Sequence, residues 1–266
     1  MNQSITSGIK WNGISQFITQ GSVIGGSIIL GRILSPDDFG TVAMVTIISS
    51  FATMFLDMGF SQALIQKKKI SDQELCSVFW LNNLIALVFF ILFFISAPLI
   101  SDFYDKPILA KLTRIISVNF LLSAIPQIPR IILTRELNFK KLGIINIITI
   151  PSSYIIGIIL AYYDFGIWSL ITQVITANLL LGTLLWVAIS WRPFFHFLRA
   201  DISGILNYSF NTFLNQVLEY WAQNISSILI GKHLGAADMG TYNRSRVFIL
   251  LPINNLSLVI NRTIFP

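Results

Sequence analysis

The feature that most constrains this chain is a series of long runs that are almost free of charged residues. Each run is about 20 residues or longer, the length that a helix needs to cross the ~30 Å hydrocarbon core of a bilayer. A membrane span must satisfy its backbone hydrogen bonds internally, so the runs predict α-helices. The ~10-residue alternating segments of a membrane β-barrel are absent from the sequence. The predicted fold class is therefore all-α, a polytopic bundle of transmembrane helices.

The runs predict about eight spans. Their approximate bounds are 12–34, 39–64, 77–101, 112–133, 142–163, 165–191, 202–231 and 240 to the last residues. Only 11% of the residues are charged, against about 25% in a soluble domain. The first run lacks the cleavage site of a signal peptide, so we interpret it as the first span. Prolines within the runs predict local bends.

Charged residues in the loops predict how the chain lies in the membrane. The loops on one side carry nine basic residues: Lys10, Lys67, Lys68, Lys69, Arg135, Lys140, Lys141, Arg192 and Arg199. The loops on the other side carry four basic residues and six aspartates: Arg32, Lys106, Lys111, Lys232, Asp37, Asp38, Asp102, Asp105, Asp164 and Asp238. Because cytoplasmic loops are enriched in Lys and Arg, we predict a cytoplasmic N-terminus. This bias accounts for the net charge of +6, so we infer no nucleic-acid partner.

The scarcity of reactive side chains argues against an enzyme, such as a membrane glycosyltransferase. Cys76 is the only cysteine, and the two histidines, His196 and His233, are too far apart to form a metal-ligand pair. The Asp37–Asp38 pair is interpreted as turn and helix-cap chemistry. We therefore predict no enzymatic activity, no metal and no cofactor.

A fourteen-residue segment recurs 200 positions later. Ile28–Thr41 reads IILGRILSPDDFGT, and Ile228–Thr241 reads ILIGKHLGAADMGT, with six identical positions that include Gly31/Gly231 and Gly40/Gly240. Six predicted spans separate the copies, so both enter the membrane in the same direction. This predicts a parallel repeat about an axis along the membrane normal.

The repeat divides the chain into two units. We predict a first six-helix transmembrane bundle over residues 1–200 and the start of a second bundle over residues 201–266, with two spans. A complete second repeat needs about four more spans. We therefore expect one complete half and the opening hairpin of a truncated second half.

Four stretches resemble a known transporter family. They are Gly31–Gly40 (GRILSPDDFG), Leu56–Gln66 (LDMGFSQALIQ), Arg135–Lys141 (RELNFKK) and Leu234–Tyr242 (LGAADMGTY). In order and spacing they are similar to the polysaccharide exporters of the multidrug/oligosaccharidyl-lipid/polysaccharide (MOP) superfamily, especially the Wzx-like colanic-acid and teichuronic-acid type. The resemblance implies a MATE-like fold with two six-helix bundles around a central cavity.

The same resemblance implies a function. A flippase of this family translocates an undecaprenyl-diphosphate-linked polysaccharide repeat unit across the bacterial inner membrane by alternating access. The implied partners are this polyprenyl-diphosphate-linked oligosaccharide, the lipid bilayer and a polysaccharide polymerase machinery. Two alternatives stay open: a cation-coupled drug antiporter of the same superfamily, and an inactive or half-length fragment of an exporter.

Polar side chains inside the predicted spans are the candidate pathway residues. A charge at the centre of a span costs about 2.5–3.5 kcal/mol on insertion scales, so each one needs a reason. Asp57 either binds a coupling ion or pairs with a loop lysine near the end of span two. Asn215, Glu219 and Gln223, spaced at i, i+4 and i+8, share one face of span seven. That face lines a cavity or forms a hydrogen-bonded helix–helix contact.

Arginines near the span ends are candidates for the diphosphate, because the guanidinium group forms paired, charge-assisted bonds to phosphate oxygens. The candidates are Arg32, Arg114, Arg130, Arg244 and Arg246. If the bundle geometry of the family holds, Arg244 and Arg246 face the cavity. For each of them, an alternative is an interfacial position in which the side chain extends towards water. The mixed charges within the spans favour an anionic lipid over a cationic drug.

Overall fold

The computed structural model describes residues 2–246, with side chains at positions 11, 13–198 and 213–246. Every regular element in this part is an α-helix, as the uncharged runs predict. The helices are α1 (Asn2–Ile33), α2 (Pro36–Asp57), α3 (Phe60–Gln66), α4 (Asp72–Phe103), α5 (Ile108–Ala124), α6 (Gln127–Arg135), α7 (Phe139–Tyr162), α8 (Ile167–Ala188) and α9 (Arg199–His233). A further helix, α10, begins at residue 236 and continues to residue 246.

Within the described residues, six helical segments are long and apolar enough to cross a membrane. They are Gly13–Ile33, Pro36–Gln66, Asp72–Phe103, Ile108–Arg135, Phe139–Tyr162 and Ile167–Ala188. These segments confirm the first six predicted spans. Helix α9 covers the predicted seventh span but is not among the six. The predicted eighth span begins in α10 and then lies outside the described residues, so the total of eight stays a prediction.

Short polar sequences fix where two of the spans begin. Ser35 and Asp38 form a capping box at the start of α2, in which the Asp38 N–H donates to Ser35 Oγ at 3.2 Å. Ser71 and Glu74 form the same motif at the start of α4. Each box satisfies N–H groups that a helix leaves without partners at its first turn. The interpretation of Asp38 as a helix-cap residue is confirmed.

Helix α2 is the centre of the bundle, because it contacts α4, α5, α8 and α9. Its Met44 and Val45 side chains are 1% and 0% exposed. Around it, α4 packs along α5, α7 packs along α8, and α1 packs along α7. On the outside, large apolar side chains of α4 such as Ile95 and Leu99 stay exposed. An outward apolar surface of this kind fits a bundle surrounded by lipid.

Two of the spans are broken in the middle. The first break separates α2 from α3 at Met58 and Gly59, which adopt positive φ angles of 40° and 78°. The second separates α5 from α6 at Ile125 and Pro126. The prediction of bends at prolines is therefore confirmed at Pro126. The break at Met58–Gly59 was not predicted.

The two ends of the bundle carry different ion pairs. At one end, which we call the Lys67 end, Lys67 Nζ lies 2.5 Å from Glu74 Oε1. At the other, the Pro36 end, Lys106 Nζ lies 2.7 Å from Asp37 Oδ2, and Lys232 Nζ lies 2.9 Å from Asp105 Oδ2. The Lys67 end is the side whose loops predict a cytoplasmic location.

Cysteine labelling of intact cells tests this orientation. In a Cys76→Ala background, we expect a membrane-impermeant maleimide to label Asp102→Cys from outside and Lys68→Cys only after permeabilisation, because the positive-inside rule places the Lys67 end in the cytoplasm. Both positions are exposed, so permeabilised cells are the control in which both react. Labelling of Lys68→Cys in intact cells contradicts the predicted orientation.

Candidate functional site

A polar cavity of about 270 Å³ lies where the two broken spans meet. It is in the part of the bundle nearer the Lys67 end, and we call it the inner cavity. Helices α2, α3, α5, α6 and α8 and the residues at the α5–α6 break supply its walls. The lining residues are Thr53, Leu56, Asp57, Ser61, Ser123, Pro126, Gln127, Arg130, Asn178, Leu181 and Leu185. Two predicted candidates, Asp57 and Arg130, are thus brought to one place.

Asp57 joins the two broken spans through hydrogen bonds. Its Oδ1 atom accepts from the Ser61 backbone N–H at 2.9 Å, at the first turn of α3. The same oxygen accepts from Gln127 Nε2 at 2.6 Å, at the first residue of α6. Gln127 Oε1 in turn accepts from Asn82 Nδ2 of α4 at 2.7 Å. One carboxylate therefore caps α3 and orients a chain of amides that reaches α4.

The described lysines do not pair with Asp57, whose partners are of another kind. Among the described residues Asp57 forms no ion pair, and its contacts are the amide and N–H groups of Gln127 and Ser61. A carboxylate that accepts bonds from the start of a helix is stabilised by the unpaired N–H groups there. The break in α2 therefore explains why an acid is tolerated inside a span.

The half-helices α3 and α6 are also tied together at their far ends. The Arg135 guanidinium donates to the carbonyl oxygens of Leu64, Ile65 and Lys67 at 2.5, 3.1 and 2.7 Å. These carbonyls lack helical partners because α3 ends there. Arg135 thus caps α3 from α6 and ties the far ends of the two half-helices together, with the inner cavity at their start.

Arg130 is the basic residue of the inner cavity. In the part of the chain that the structure describes, its guanidinium has neither a hydrogen-bond partner nor an ion-pair partner, although Asp57 lines the same space. The side chain stays accessible from the cavity. An accessible guanidinium without an acid beside it is available to bind an anion.

A second cavity, of about 250 Å³, lies nearer the Pro36 end, and we call it the outer cavity. Its walls come from α1, α2, α8 and α10. The lining residues are Ser27, Phe39, Val42, Ala43, Thr46, Leu170, Gln173, Val174, Gly240, Asn243 and Arg244. This lining is mostly apolar and contains no acid.

Arg244 holds a fixed position at this outer cavity. Its Nη2 donates to the Gly31 carbonyl oxygen at 3.2 Å, and its guanidinium carbon lies 4.8 Å from the centre of the Phe39 ring. Cation–π contact of this kind fixes the guanidinium but leaves most of its N–H groups unused. The structure therefore places Arg244 at the outer cavity, while its position at the central cavity of a two-bundle fold stays a prediction.

The other predicted arginines lie outside both cavities. Arg114 is exposed and lies over the Phe94 ring at 5.5 Å. Arg32 is exposed in the last turn of α1. Arg246 Nη1 lies 3.5 Å from Asn224 Oδ1, at the limit of a hydrogen bond. These three are not brought together with Arg130 or Arg244.

The polar face of α9 is separate from both cavities as well. Gln223 Nε2 donates to Glu219 Oε1 at 3.0 Å, which shows that these two side chains share a face. Asn215, Glu219 and Gln223 are all exposed in this structure. Whether they line a transport path stays a prediction.

Two glutamines of the cavities, Gln127 and Gln173, were missed in the sequence. Gln127 lies between Pro126 and Pro129, and this pair of prolines around an amide is the signal that marks a break with a polar group at it. Gln173 lies in an uncharged run without proline, which offers no comparable signal.

Comparison with known proteins places these features in a family. The family described as "Polysaccharide biosynthesis protein" matches residues 29–266. The chain belongs to this family.

Several relatives support the assignment. Over 100% of the chain it is 31% identical to teichuronic acid biosynthesis protein TuaB of Bacillus subtilis, of which it covers 56%. It is 27% identical, again over all of the chain, to lipopolysaccharide biosynthesis protein WzxC of Escherichia coli, of which it covers 54%. It is 27% identical over 99% of the chain to succinoglycan biosynthesis transport protein ExoT of Rhizobium meliloti, of which it covers 53%. The chain thus spans about half the length of these relatives. No solved structure matches the chain.

Two of the stretches that resemble the family lie at the half-helices of the broken spans. The stretch Leu56–Gln66 forms the break between α2 and α3, and Arg135 begins the stretch that closes α6. Two of the three stretches that carried the resemblance in the first unit therefore lie in the half-helices around the inner cavity.

Replacing Asp57 tests whether its role is capping or charge. Asp57→Leu leaves the Ser61 N–H and the Gln127 amide without an acceptor, at about 1–3 kcal/mol for each unpaired group. We expect its thermal unfolding midpoint in detergent to fall by at least about 4 °C. Asp57→Asn keeps an acceptor oxygen, and we expect a midpoint close to that of the parent.

Asp102→Leu, at an exposed position at the end of α4, is the control for loss of an aspartate. If Asp57→Asn is destabilised as strongly as Asp57→Leu, the negative charge itself is required and the capping explanation fails.

Proposed function

We propose that this chain acts in a flippase that translocates polyprenyl-diphosphate-linked oligosaccharide repeat units across a bacterial inner membrane, with its N-terminus in the cytoplasm. The names of three relatives concern the biosynthesis of teichuronic acid and lipopolysaccharide and the transport of succinoglycan. The six apolar helical segments agree with a multi-pass membrane protein.

The observation that supports the proposal is a pair of arginines at cavities nearer opposite ends of the bundle, neither of which has an acidic partner among the described residues. Arg130 lines the inner cavity, and Arg244 lines the outer cavity. A cation inside a membrane protein is costly unless it has a partner or a function. A diphosphate is a suitable ligand, because guanidinium groups bind phosphate oxygens with good geometry. Two such positions would hold the anionic head group before and after its passage.

The inner cavity also suits a sugar. Gln127, Asn178, Ser61 and Ser123 offer amide and hydroxyl groups that donate to and accept from sugar hydroxyls. Its volume of about 270 Å³ is slightly below the ~300–1,000 Å³ of typical small-ligand sites. It therefore accommodates part of a head group rather than a whole repeat unit, which needs the larger space between two bundles.

The competing function is a cation-coupled drug antiporter. Such a transporter needs acidic groups where its cationic substrate binds, and the outer cavity contains Arg244 and no acid. The inner cavity contains both Asp57 and Arg130, but Asp57 is engaged in capping α3 and holding Gln127. The charges at the cavities therefore favour an anionic substrate. We further propose that residues 201–266 belong to a second bundle, and that the transported unit passes to a polymerase machinery.

Deletion of the gene that encodes this chain tests the function. In the deletion strain we expect less surface polysaccharide and accumulation of the lipid-linked repeat unit, measured by sugar labelling and extraction of polyprenyl diphosphates. Re-expression of the gene restores both quantities. Normal surface polysaccharide together with increased sensitivity to cationic drugs favours the antiporter instead. If re-expression of residues 1–266 alone restores nothing, the half-length alternative is correct.

Arginine substitutions test the phosphate contacts. Because a hydrogen bond to a charged group contributes about 1.5–3 kcal/mol, we expect Arg130→Ala and Arg244→Ala each to lower export about tenfold or more without lowering abundance in the membrane. Arg130→Lys retains the charge but not the paired geometry, and we expect an intermediate value.

Arg32→Ala, at an exposed position outside both cavities, is the matched control and should leave export unchanged. Arg246→Ala tests whether a third arginine contributes to export. Unchanged export in Arg130→Ala removes that residue from the proposed path.

A further inference from the structure

A groove of about 430 Å³ lies between α5 and α8, and we call it the flank groove. Most of its wall is apolar, and no acid lines it; the residues that matter here are Leu122, Ile125, Leu179, Gly182, Trp186 and Arg192. Leu179 is 50% exposed, and Val187, which also lines the groove, is 77% exposed. Exposed apolar side chains of this kind within a span suit contact with lipid chains, which are as apolar as leucine.

The floor of the flank groove is a glycine. A Cβ atom built on Gly182 would meet no other atom within 4 Å, so the missing side chain leaves open space. Asn178, Gly182 and Trp186 all line the groove and follow one another at intervals of four residues, which places them on one face of α8. From position 178 to position 186 the helix rises about 12 Å. The groove is therefore elongated along the helix, a shape that suits a hydrocarbon chain.

Hydrogen bonds between α8 and the α5 side hold the two walls of the flank groove together. At its inner end, Asn178 Nδ2 donates to Asn119 Oδ1 at 2.9 Å. Nearer the other end, the Trp186 indole N–H donates to the Ile125 carbonyl oxygen at 3.2 Å. Because these bonds fix the separation of the walls, the groove is formed before any ligand enters it.

Arg192 lies at the open end of the flank groove. Its Nη1 donates to the carbonyl oxygens of Ile189 and Trp191 at 2.9 and 2.8 Å, and its guanidinium carbon lies 5.4 Å from the centre of the Trp186 ring. These contacts hold the guanidinium in place and use one of its three nitrogen atoms. Among the described residues no acid pairs with it. A guanidinium held in this way is available to bind phosphate oxygens.

We propose that the flank groove binds one anionic phospholipid of the surrounding membrane, with the phosphate on Arg192 and one acyl chain over Gly182. Basic pockets between spans on the cytoplasmic side are typical sites for anionic lipid head groups. Within the described residues the groove is lined by one cation, which matches a single phosphate better than a diphosphate. The bound chain contacts Ile125, so the lipid stabilises the bundle at the break between α5 and α6.

Native mass spectrometry of the purified 266-residue chain in detergent tests the site. The delipidated protein is titrated with phosphatidylglycerol and, separately, with phosphatidylcholine of the same acyl chains. We expect one site that binds phosphatidylglycerol about tenfold more tightly, because the choline cation offsets the attraction between its phosphate and Arg192. Equal affinity for the two lipids contradicts an anionic head-group site.

Two variants test the charge and the space separately. Arg192→Gln keeps a donor for the backbone carbonyls but removes the charge, and we expect its affinity for phosphatidylglycerol to fall to that for phosphatidylcholine. Gly182→Leu keeps the charge and fills the groove, and we expect it to lose the site for both lipids. Parent affinity in either variant overturns the proposed site.

Matched controls are an arginine and a glycine that lie elsewhere. Arg32→Ala removes an exposed arginine in the last turn of α1. Gly25→Leu adds the same side chain at a glycine whose Cβ would also meet nothing within 4 Å. We expect both to bind phosphatidylglycerol as the parent does. Loss of the site in these controls overturns the assignment to the flank groove.

Thermal unfolding separates lost binding from lost folding. At about 100 times its dissociation constant, phosphatidylglycerol should raise the unfolding midpoint of the parent by about 5–10 °C. Arg192→Gln should unfold at the midpoint of the parent in detergent alone and show no such rise. A parent midpoint that phosphatidylglycerol leaves unchanged contradicts the stabilising role.

A competition experiment distinguishes the phospholipid from the proposed transport substrate. We expect undecaprenyl diphosphate to displace phosphatidylglycerol only at higher concentration than phosphatidylglycerol itself requires. Displacement at lower concentration assigns the flank groove to the substrate and overturns the proposal. None of these measurements depends on export, so failure of this site and failure of the proposed function are distinguishable.

Discussion

The hydrogen bonds received by the Asp57 carboxylate hold together the part of the bundle on which the inner cavity depends. A break inside a span frees backbone groups, and in a membrane no water is present in the hydrocarbon region to satisfy them. The Asp57 carboxylate accepts a hydrogen bond from the free Ser61 N–H at the start of α3, and it accepts another from the Gln127 side chain at the start of α6. At the second break, the freed Ile125 carbonyl accepts from the Trp186 indole at 3.2 Å. The two breaks are thus tolerated because polar groups at each break form hydrogen bonds with the other broken span or with a side chain of α8.

The repaired breaks create the polar space that an unbroken apolar bundle lacks. Continuous helices with Leu and Ile facing inward pack at the density of a solid and leave little room for a ligand. Where α2 and α5 stop and restart, the short half-helices α3 and α6 leave the inner cavity, with Arg130 on its wall. Irregular backbone at membrane depth is typical of transport sites, since it is stable only where it lines a cavity or is buried in protein.

Much of the fold followed from the sequence, because lipid leaves few alternatives to helices of a fixed length. The first six spans and the cap at Ser35–Asp38 were predicted from runs and motifs. The break at Met58–Gly59 was not, because apolar residues continue on both sides of it and only a single glycine marks it. The arrangement of the arginines in space could not be predicted from the sequence either. Spacing along the chain shows that Arg114, Arg130 and Arg246 lie near span ends, but not which of them face a common space.

The turn between α4 and α5 joins both copies of the repeat through adjacent residues of opposite charge. Lys106 holds Asp37 of the first copy, and Asp105 holds Lys232 of the second. Both pairs are partly exposed to the medium, most of all at Asp105, whose side chain is 83% exposed. Mobile ions screen such exposed charges over a Debye length of about 8 Å at physiological ionic strength. The strength of both pairs therefore depends on the salt concentration at this end of the bundle, so the surrounding medium itself influences how firmly α2 and α9 are held to this turn.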